Sequence, residues 1–174
     1  MSLPLPPSAD DAPIVVRSNH QVWRVRWHGA THLPGGTNHG ASAICVTKDG
    51  RVLLVSRDAV LWGFPGGRPE HDETPPQTLA REVREEAGAD VVSAILLGYT
   101  ASHCVAGVQA GTTLVRSFWI AHVTLLPWRP AFEIEHRKLF RPGDVEAIID
   151  RSHPDGSAPL LVRAFRAAME IEGS

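Results

Sequence analysis

Three glutamates close together in the sequence are the residues best placed to carry chemistry. Glu82, Glu85 and Glu86 are spaced i, i+3 and i+4, so on a helix all three project from one face. Like charges at this spacing destabilise a bare helix by roughly a few tenths of a kcal/mol per pair. A hard cation with oxygen ligands, such as Mg²⁺, would compensate for this repulsion. The alternative is a solvated acidic face with Arg81 and Arg84 as its partners.

The run just before this helix favours a ligand site over a solvated face. Gly66 and Gly67 are adjacent, and two glycines allow a tight turn and a close approach of the backbone to a ligand. Glu73 precedes Arg81 by eight residues, and an ion pair between them could tie the loop to the helix. The same pair could instead be a surface contact that contributes little to stability.

The helix that carries the glutamates is predicted over Pro75–Ala87, with clear signals at both ends. Thr74 can cap the first turn, and Gln77 three residues later completes a capping box. Pro75 takes the first helical position, where a missing N–H costs nothing. Gly88 provides the stop. The apolar side expected to pack on a sheet consists of Leu79, Ala80, Val83 and Ala87.

The remaining elements are predicted to be mostly strands. Asp49 and Gly50 separate two apolar runs, 41–47 and 51–56, which is typical of a hairpin. Glycine-rich or proline-rich loops are predicted at 32–40 and 107–111. Further strands are predicted at 22–27, 91–100 and 113–125, and further helices at 142–149 and 159–171. This order predicts an α+β or mixed α/β class.

The size of the chain predicts a single domain. It has 174 residues, of which 43% are hydrophobic, which is enough for a core without staples. We expect the domain to span 14–174, after a disordered or extended proline-rich arm at 1–13. Cys45 and Cys104 lie in apolar runs and are expected to be buried, reduced thiols.

The segment 67–89 resembles the Nudix box, whose pattern is G-x5-E-x7-R-E-U-x-E-E-x-G-U with U apolar. Here it reads GRPEHDETPPQTLAREVREEAGA. The residues at the fixed positions are Gly67, Glu73, Arg81, Glu82, Val83, Glu85, Glu86, Gly88 and Ala89. The preceding Trp62-Gly63-Phe64-Pro65-Gly66 is similar to the family's entry into the box. Asp72, where many members have glycine, and a second proline at Pro76 are departures that touch no proposed ligand. The resemblance implies an α/β/α sandwich with a mixed sheet.

Resemblance to the Nudix hydrolases also implies a reaction: Mg²⁺-dependent (or Mn²⁺-dependent) hydrolysis of a diphosphate bond in a nucleoside diphosphate linked to another moiety. Glu85 and Glu86 would bind the metal ion, with the backbone carbonyl of Gly66 as a further ligand. Glu82 would bind a metal ion or activate the attacking water. Whether Glu82 or Glu85 is the general base stays open. The residues that would hold the loop against the helix are Glu73 and Arg81.

Residues outside the box could complete the site. In this family a further ligand or base often comes from elsewhere, and Glu133 and Glu135, which alternate with apolar residues, are the candidates; an exposed strand edge is the alternative. Arg57 could contact a phosphate or be a surface arginine. Trp62 could stack on a base or pack in the core. Gly67 is expected to approach the substrate.

Charge and hydropathy narrow the expected partners. The 17 basic and 19 acidic side chains give a net charge of −2, so no stable nucleic-acid partner is expected, whereas a metal ion could neutralise a small nucleotide-type diphosphate. No stretch approaches the ~20 apolar residues of a membrane helix, and no signal peptide is visible, so we expect a cytoplasmic location and no membrane contact. Strand 22–27 could contribute to a homodimer interface or to a substrate wall.

Three other functions compete with hydrolysis. A non-hydrolytic Nudix-fold nucleotide or ADP-ribose sensor commonly lacks box carboxylates, and all are present here. An enzyme similar to isopentenyl diphosphate isomerase would show a catalytic cysteine and glutamate in their own contexts. A purely structural domain with an acidic helix is the third. The substrate would be selected by loops outside the box, at 32–40, 102–113 and 126–141.

Overall fold

The core of the chain is one mixed β-sheet. A computed structural model describes residues 12–130 and 133–174, and all statements on the structure concern these residues. The strands are β1 (Ile14–Ser18), β2 (Gln21–Gly29), β3 (Thr37–Thr47), β4 (Val52–Ser56), β5 (Gly66–Gly67), β6 (Ala89–Ala106), β7 (Thr113–Leu125) and β8 (His136–Phe140). Their order is β1-β2-β6-β7-β3-β4-β8, and β5 pairs with β3. The β3–β7 pair is parallel, and the other pairs are antiparallel.

Helices cover both faces of the central strands. The helices are α1 (Pro75–Ala87), α2 (Pro142–Ser152) and α3 (Ala158–Glu172). In β3, Ala43 and Cys45 point to the core beneath α1, whereas Ile44 and Val46 point to the core beneath α2 and α3. Because side chains alternate along a strand, a strand buried on both sides is apolar throughout. This arrangement confirms the predicted α/β/α sandwich with a mixed sheet.

The N-terminal hairpin β1–β2 extends the sheet past β6 and packs against the start of α3. Trp23, Val25 and Leu160 form a third apolar cluster with residues of β1 and β6. The backbone N–H of Arg17 donates to the carbonyl of Asp155 at 3.0 Å, which ties β1 to the loop before α3. Strand β2 pairs with β1 along one edge and with β6 along the other, so neither edge is open to a further strand.

Most predicted elements are confirmed, and three expectations are wrong. The bounds of α1 and β7 match, and both cysteines are buried and free. The predicted loop 32–40 ends early because β3 begins at Thr37, where it pairs in parallel with β7. Ala80 is exposed, and Thr78 is buried instead, because the loop that carries Glu73 covers that side of α1. The predictions also missed β1 and β8.

Two further expectations lie partly or wholly beyond what the structure describes. Residues 1–11 of the predicted arm fall outside the described residues, and so does Phe132, one of the apolar residues that alternate with Glu133 and Glu135. In the described part of the chain, no helix is both long enough and apolar enough to cross a membrane.

Candidate active site

The capping contacts of α1 fix which side of the helix faces the glycine loop. Gln77 Oε1 accepts a hydrogen bond from the backbone N–H of Thr74 at 2.8 Å, as in the predicted capping box. At the other end Gly88 has φ 56°, and its N–H donates to Arg84 O. With both ends set, Leu79 and Val83 turn toward the sheet. Glu82 and Glu86 then lie against the loop that precedes the helix, and Glu85 contacts Arg81.

Gly66 and Gly67 let the loop backbone pass between β3 and these glutamates. Gly66 pairs with Ser42, and a Cβ at Gly66 would lie 2.4 Å from the carbonyl oxygen of Ala41. A Cβ at Gly67 would lie 2.0 Å from Oε1 of Glu82. The N–H of Gly66 donates to Oε2 of Glu86 at 2.9 Å. Only residues without a side chain allow this close approach of backbone and carboxylates.

Arg81 joins the loop to the helix through a two-pronged ion pair. Its Nε and Nη2 donate to the two carboxylate oxygens of Glu73 at 2.8 and 3.0 Å, and Nη2 also donates to the carbonyl of Arg68 at 2.8 Å. These bonds to Arg81 are the main cause that lowers the pKa of Glu73 to about 2. The pair predicted from sequence therefore forms, and it is part of a half-buried network rather than an isolated surface contact.

Arg81 also contacts two of the three candidate metal ligands. Nη1 donates to Glu82 Oε1 at 3.0 Å and to Glu85 Oε2 at 3.1 Å. Within residues 12–130 and 133–174, no three acidic, histidine or cysteine side chains already converge as a metal-binding group. A cation at this site would therefore compete with Arg81 for Glu82 and Glu85.

The electrostatic environment of the glutamates suits a cation. Burial raises the pKa of Glu82 and of Glu86, against the opposing effect of Arg81 on Glu82 and of the Gly66 N–H on Glu86. Repulsion from the Glu85 carboxylate also raises the pKa of Glu82, and repulsion from the Glu82 carboxylate raises the pKa of Glu86. Half-buried carboxylates beside a backbone carbonyl are the oxygen donors that Mg²⁺ and Mn²⁺ accept. The donor set therefore fits such an ion.

Arg116 on β7 is a site residue that the sequence predictions missed. Its Nη1 donates to Ser42 Oγ at 3.0 Å, and burial lowers its pKa while Glu82 and Glu86 oppose that change. Its signal in the sequence was an arginine inside the otherwise uncharged run 113–121. A buried charged side chain needs a polar partner, but the alternation of residues along one strand does not show which other strand supplies that partner.

The proposed residues outside the box lie on the other side of the glycine loop. Arg57 and Glu133 form an ion pair with each other, and their side chains are 70% and 68% exposed. Arg57 lines a cavity of about 280 Å³ together with Gly66 and Glu86. Ile134 is buried, whereas Glu133 and Glu135 are both exposed, as in the exposed-edge alternative. The contact of Glu133 is with Arg57, and the structure brings no α1 glutamate to it.

Trp62 lines the same small cavity, but its contacts are those of a packing residue. Its ring meets Phe140 edge to face at 5.3 Å between centroids. Its indole N–H donates to the carbonyl of Ala59 at 3.2 Å, and its backbone N–H donates to Ser152 Oγ at 3.0 Å. The ring is thus held in place as part of the cavity wall.

A mixed sheet with α1 on one face and α2 and α3 on the other, together with an acidic face of α1 against the Gly66-Gly67 loop, defines a Nudix-type fold and site. The family model described as the NUDIX domain matches residues 36–153, and the chain belongs to this family. A crystal structure of a Bacillus subtilis pyrophosphohydrolase superposes with a TM-score of 0.67 at 20% identity, over 87% of this chain and 92% of that one. At this identity the likeness shows the fold alone.

Two curated relatives resemble shorter parts of the chain. It is 42% identical over 66 residues to the CTP pyrophosphohydrolase of Escherichia coli (strain K12), which covers 35% of this chain and 47% of that protein. It is 39% identical over 64 residues to the 8-oxo-dGTP diphosphatase of Proteus vulgaris, which covers 34% of this chain and 57% of that protein. The chain thus spans about half the length of the curated relatives it matches.

Proposed function

We propose that this chain is a metal-dependent hydrolase that cleaves a diphosphate bond in a nucleoside diphosphate linked to another moiety. The observation that carries the proposal is the contact between the α1 glutamates and the glycine loop. Glu82 lies where no Cβ at Gly67 would fit, and Glu86 accepts a hydrogen bond from Gly66. A structural acidic face would not need this approach. Relatives named CTP pyrophosphohydrolase and 8-oxo-dGTP diphosphatase support a nucleotide substrate.

The box residues and Gly66 have different roles in the proposed reaction. Glu85 and Glu86 would hold Mg²⁺ or Mn²⁺, with the carbonyl of Gly66 as a further ligand. The ion would supply positive charge that neutralises the phosphates and would make the attacking water easier to deprotonate. Glu82 or Glu85 takes the proton from the attacking water. The residues that keep the loop and the helix in register are Glu73 and Arg81.

The cavity of about 280 Å³ beside Glu86 would receive the group on one side of the diphosphate bond that is cleaved. Arg57 supplies a positive charge at its rim, and Trp62 supplies a fixed aromatic wall. Glu133 neutralises Arg57 in the absence of substrate. Under this proposal an anionic group of the substrate takes the place of Glu133.

The test is a panel of nucleoside triphosphates and nucleoside diphosphate derivatives incubated with the full chain and with Mg²⁺, Mn²⁺ or chelator. The readout is the formation of nucleoside monophosphate, because cleavage of the diphosphate bond leaves one phosphate on the nucleoside fragment. Hydrolysis should need the metal ion. Glu85→Gln and Glu86→Gln should each lower the rate by about 10²–10⁴-fold, the range of a lost acid–base group or its equivalent. The matched control is Glu170→Gln, an exposed glutamate on α3 that should leave the rate unchanged. Activity unchanged by both box substitutions would refute the metal assignment.

The same panel separates the competing functions. Tight binding of a nucleotide without turnover would favour a sensor over a hydrolase. An isomerase mechanism that uses a cysteine finds no support, because Cys45 and Cys104 are both fully buried. Burial also raises the pKa of the Cys45 thiol, which makes it a poor nucleophile or acid at neutral pH.

A further inference from the structure

Acidic and basic side chains are distributed unevenly along the chain. None of its 19 aspartate and glutamate residues lies in 12–48 or in 91–132. These two segments supply β1, β2, β3, β7 and all of β6 after Asp90. The net charge of −2 is therefore an average over an acidic part of the chain and a part that carries basic side chains without carboxylates.

The side chains of β2 divide between the two faces of the sheet by polarity. Trp23 and Val25 are buried in the third apolar cluster, together with the start of α3. Because successive side chains of a strand point to opposite faces, Arg24, Arg26 and His28 lie on the other face of the sheet. The arginines of β2 thus point away from α3.

The strands on either side of β2 add two more basic residues to this surface. Arg24 pairs directly with His103 of β6 and with Val15 of β1, and directly paired residues face the same side. Arg17 follows Val15 by two residues and therefore shares that side. The three arginines and His103 are exposed, and His28 is half-buried. We call this surface the basic face; it consists of Arg17, Arg24, Arg26, His28 and His103.

The basic face lies beside α1 and is not covered by that helix. Tyr99 pairs with His28 on one side and with Ser117 on the other, and Ala121, four residues further along β7, packs beneath α1. The basic face and α1 are therefore on the same side of the sheet. Among the described residues, β1 and β2 contribute nothing to the apolar cluster beneath α1, so this part of the sheet is open to solvent.

Two arginines of the basic face lack the carboxylate partners that arginines have elsewhere on the surface. Arg51, Arg84 and Arg166 each form an ion pair with an aspartate or glutamate. In the part of the chain that the structure describes, no carboxylate forms an ion pair with Arg17 or Arg24. These two side chains give the face a positive potential, which attracts polyanions.

The spacing of the arginines suits a phosphodiester backbone. Arg24 and Arg26 are two residues apart on one strand, which separates them by about 6.6 Å along the strand. Successive phosphates of an extended nucleic-acid strand are separated by a similar distance. Each phosphate can therefore meet one guanidinium group, which binds phosphate oxygens through two parallel hydrogen bonds.

A pair of stacked rings lies beside these arginines. His28 and His32 stack with their ring centroids 5.3 Å apart and an angle of 26° between the ring planes. His32 is exposed, so part of its ring remains open to solvent. Unpaired nucleobases stack on histidine rings, and cations beside a ring platform are the two features by which proteins bind single strands. A duplex, whose bases are already stacked on each other, would use only the charges.

We propose that the basic face is a docking surface for a single nucleic-acid strand, in which Arg17, Arg24 and Arg26 bind successive phosphates and His32 stacks on a base. The complex is held by the backbone and by base faces, so it has little sequence preference. It is weak and salt-dependent, and it therefore differs from the stable nucleic-acid complex that the net charge argues against. The surface goes beyond the proposed function, because docking requires neither a metal ion nor a diphosphate bond.

The test is fluorescence anisotropy of a labelled oligo(dT) strand of about 20 nucleotides with a 5′ hydroxyl, titrated with the full chain in chelator. The Kd should be on the order of 10⁻⁵ M at about 50 mM salt and should rise about twentyfold at about 200 mM, as three neutralised phosphates require. The triple variant Arg17→Gln, Arg24→Gln, Arg26→Gln should lose most of this salt dependence and bind about tenfold or more weakly at the lower salt concentration. Arg24→Gln alone should lower the slope of log K against log salt by about 0.7.

The matched control is a second triple variant with the same net charge. Arg51→Gln, Arg141→Gln and Arg151→Gln remove three exposed arginines that lie outside the basic face. Because charges beyond a Debye length of about 10 Å are largely screened, this variant should bind the strand within about threefold of the wild type. Equal salt dependence in the two triple variants would overturn the docking surface.

His32 tests stacking separately from charge. His32→Ala should weaken binding by about fivefold and leave the salt dependence unchanged, because stacking on a base releases no counterions. His32→Phe should restore the affinity to within about twofold of the wild type, since phenylalanine keeps a ring for the base. Both variants remove the same histidine, so a difference between them reports the ring itself. Equal losses in both would overturn the stacking role.

Two further outcomes decide the nature of the partner. No binding of the strand at about 50 mM salt would overturn the proposal. Binding of the full chain to phosphatidylserine vesicles, with no binding of the oligonucleotide, would also overturn it and would make an anionic membrane surface the partner of the basic face. The 5′ hydroxyl strand offers no diphosphate bond, so failure of either proposal leaves the other intact.

Discussion

Replacing Gly67 with alanine tests whether catalysis needs Glu82 to lie against the loop backbone. The new Cβ would lie 2.0 Å from Glu82 Oε1 and 2.3 Å from its carboxylate carbon. Gly67 is not among the residues with positive φ, so alanine can adopt this backbone without strain. The obstructing atoms are the far end of a flexible side chain. We therefore expect the fold to relieve the overlap by moving the Glu82 carboxylate, with little loss of stability.

The size of that movement sets the expected loss of activity. To restore a contact of 3.4 Å, the carboxylate oxygen must retreat by about 1.4 Å. A misplacement of about 1 Å at a reacting group can lower a rate by about 10²-fold, which corresponds to about 2.7 kcal/mol of transition-state stabilisation. Gly66→Ala should behave differently, because its Cβ would meet backbone atoms of Ala41 and Ser42 at 2.4 and 2.7 Å. Breaking the pairing of β5 with β3 should also cost about 1–3 kcal/mol of stability.

The assay pairs kcat/KM on a substrate from the panel with urea unfolding of the same variants. Gly143→Ala, on α2, is the matched control, since a Cβ there meets nothing within 4 Å. Gly67→Ala should lose activity and keep its unfolding midpoint, Gly66→Ala should lose both, and Gly143→Ala should lose neither. A folded Gly67→Ala enzyme with kcat/KM within a factor of three of the wild type would refute the argument. Equal destabilisation of Gly67→Ala and Gly66→Ala would refute its structural half.

Other contacts of α1 give further predictions. Glu73→Gln should lower kcat by about 10–100-fold in steady-state assays with the fold intact, because Arg81 loses its charged partner. In the folded protein the pKa of Glu73 is about 2, below its ordinary 4.5. The stability that the Glu73–Arg81 pair provides is therefore complete above pH 4.5 and is lost as the pH falls toward 2. The difference in unfolding free energy between wild type and Glu73→Gln should shrink over that interval. Arg137→Ala should cost about 1.5–3 kcal/mol in urea unfolding, as this side chain donates to the last carbonyls of α1; a smaller loss than in an exposed arginine variant would contradict it. Mg²⁺ at about 100 times its Kd should stabilise the wild type by about 2.7 kcal/mol but not a Glu82→Gln, Glu86→Gln double variant, and an equal thermal shift in both would place the ion elsewhere.

The elements predicted correctly are those whose signals are local. The ends of α1 follow from Thr74, Pro75 and Gly88, each of which acts within one turn of the helix. The hairpin at Asp49-Gly50 follows from its turn residues, and the thiol burial from apolar runs around Cys45. The box could be recognised from the sequence for the same reason, because Glu82, Glu85 and Glu86 are related by helical spacing alone.

The residues that sequence missed or left open depend on pairing across long separations. Arg116 contacts Ser42 because β7 lies parallel to β3, and this pairing begins in a stretch of β3 that the sequence predicted to be loop. Trp62 was a candidate for base stacking, and its wall position depends on Phe140 from β8. Glu133 was a candidate ligand, and its observed contact is with Arg57.

The sequence by itself determined the acidic helix, its caps and the glycine loop before it, because these features act over a few residues or one turn. Only the tertiary structure decided what surrounds them and that Glu73 and Arg81 pair within a half-buried network. The parallel pairing of β3 with β7 brings Arg116 to Ser42, and the β1–β2 hairpin folds against the loop before α3. Strand register and the choice of buried face are settled by contacts between distant segments, and a local pattern does not specify them.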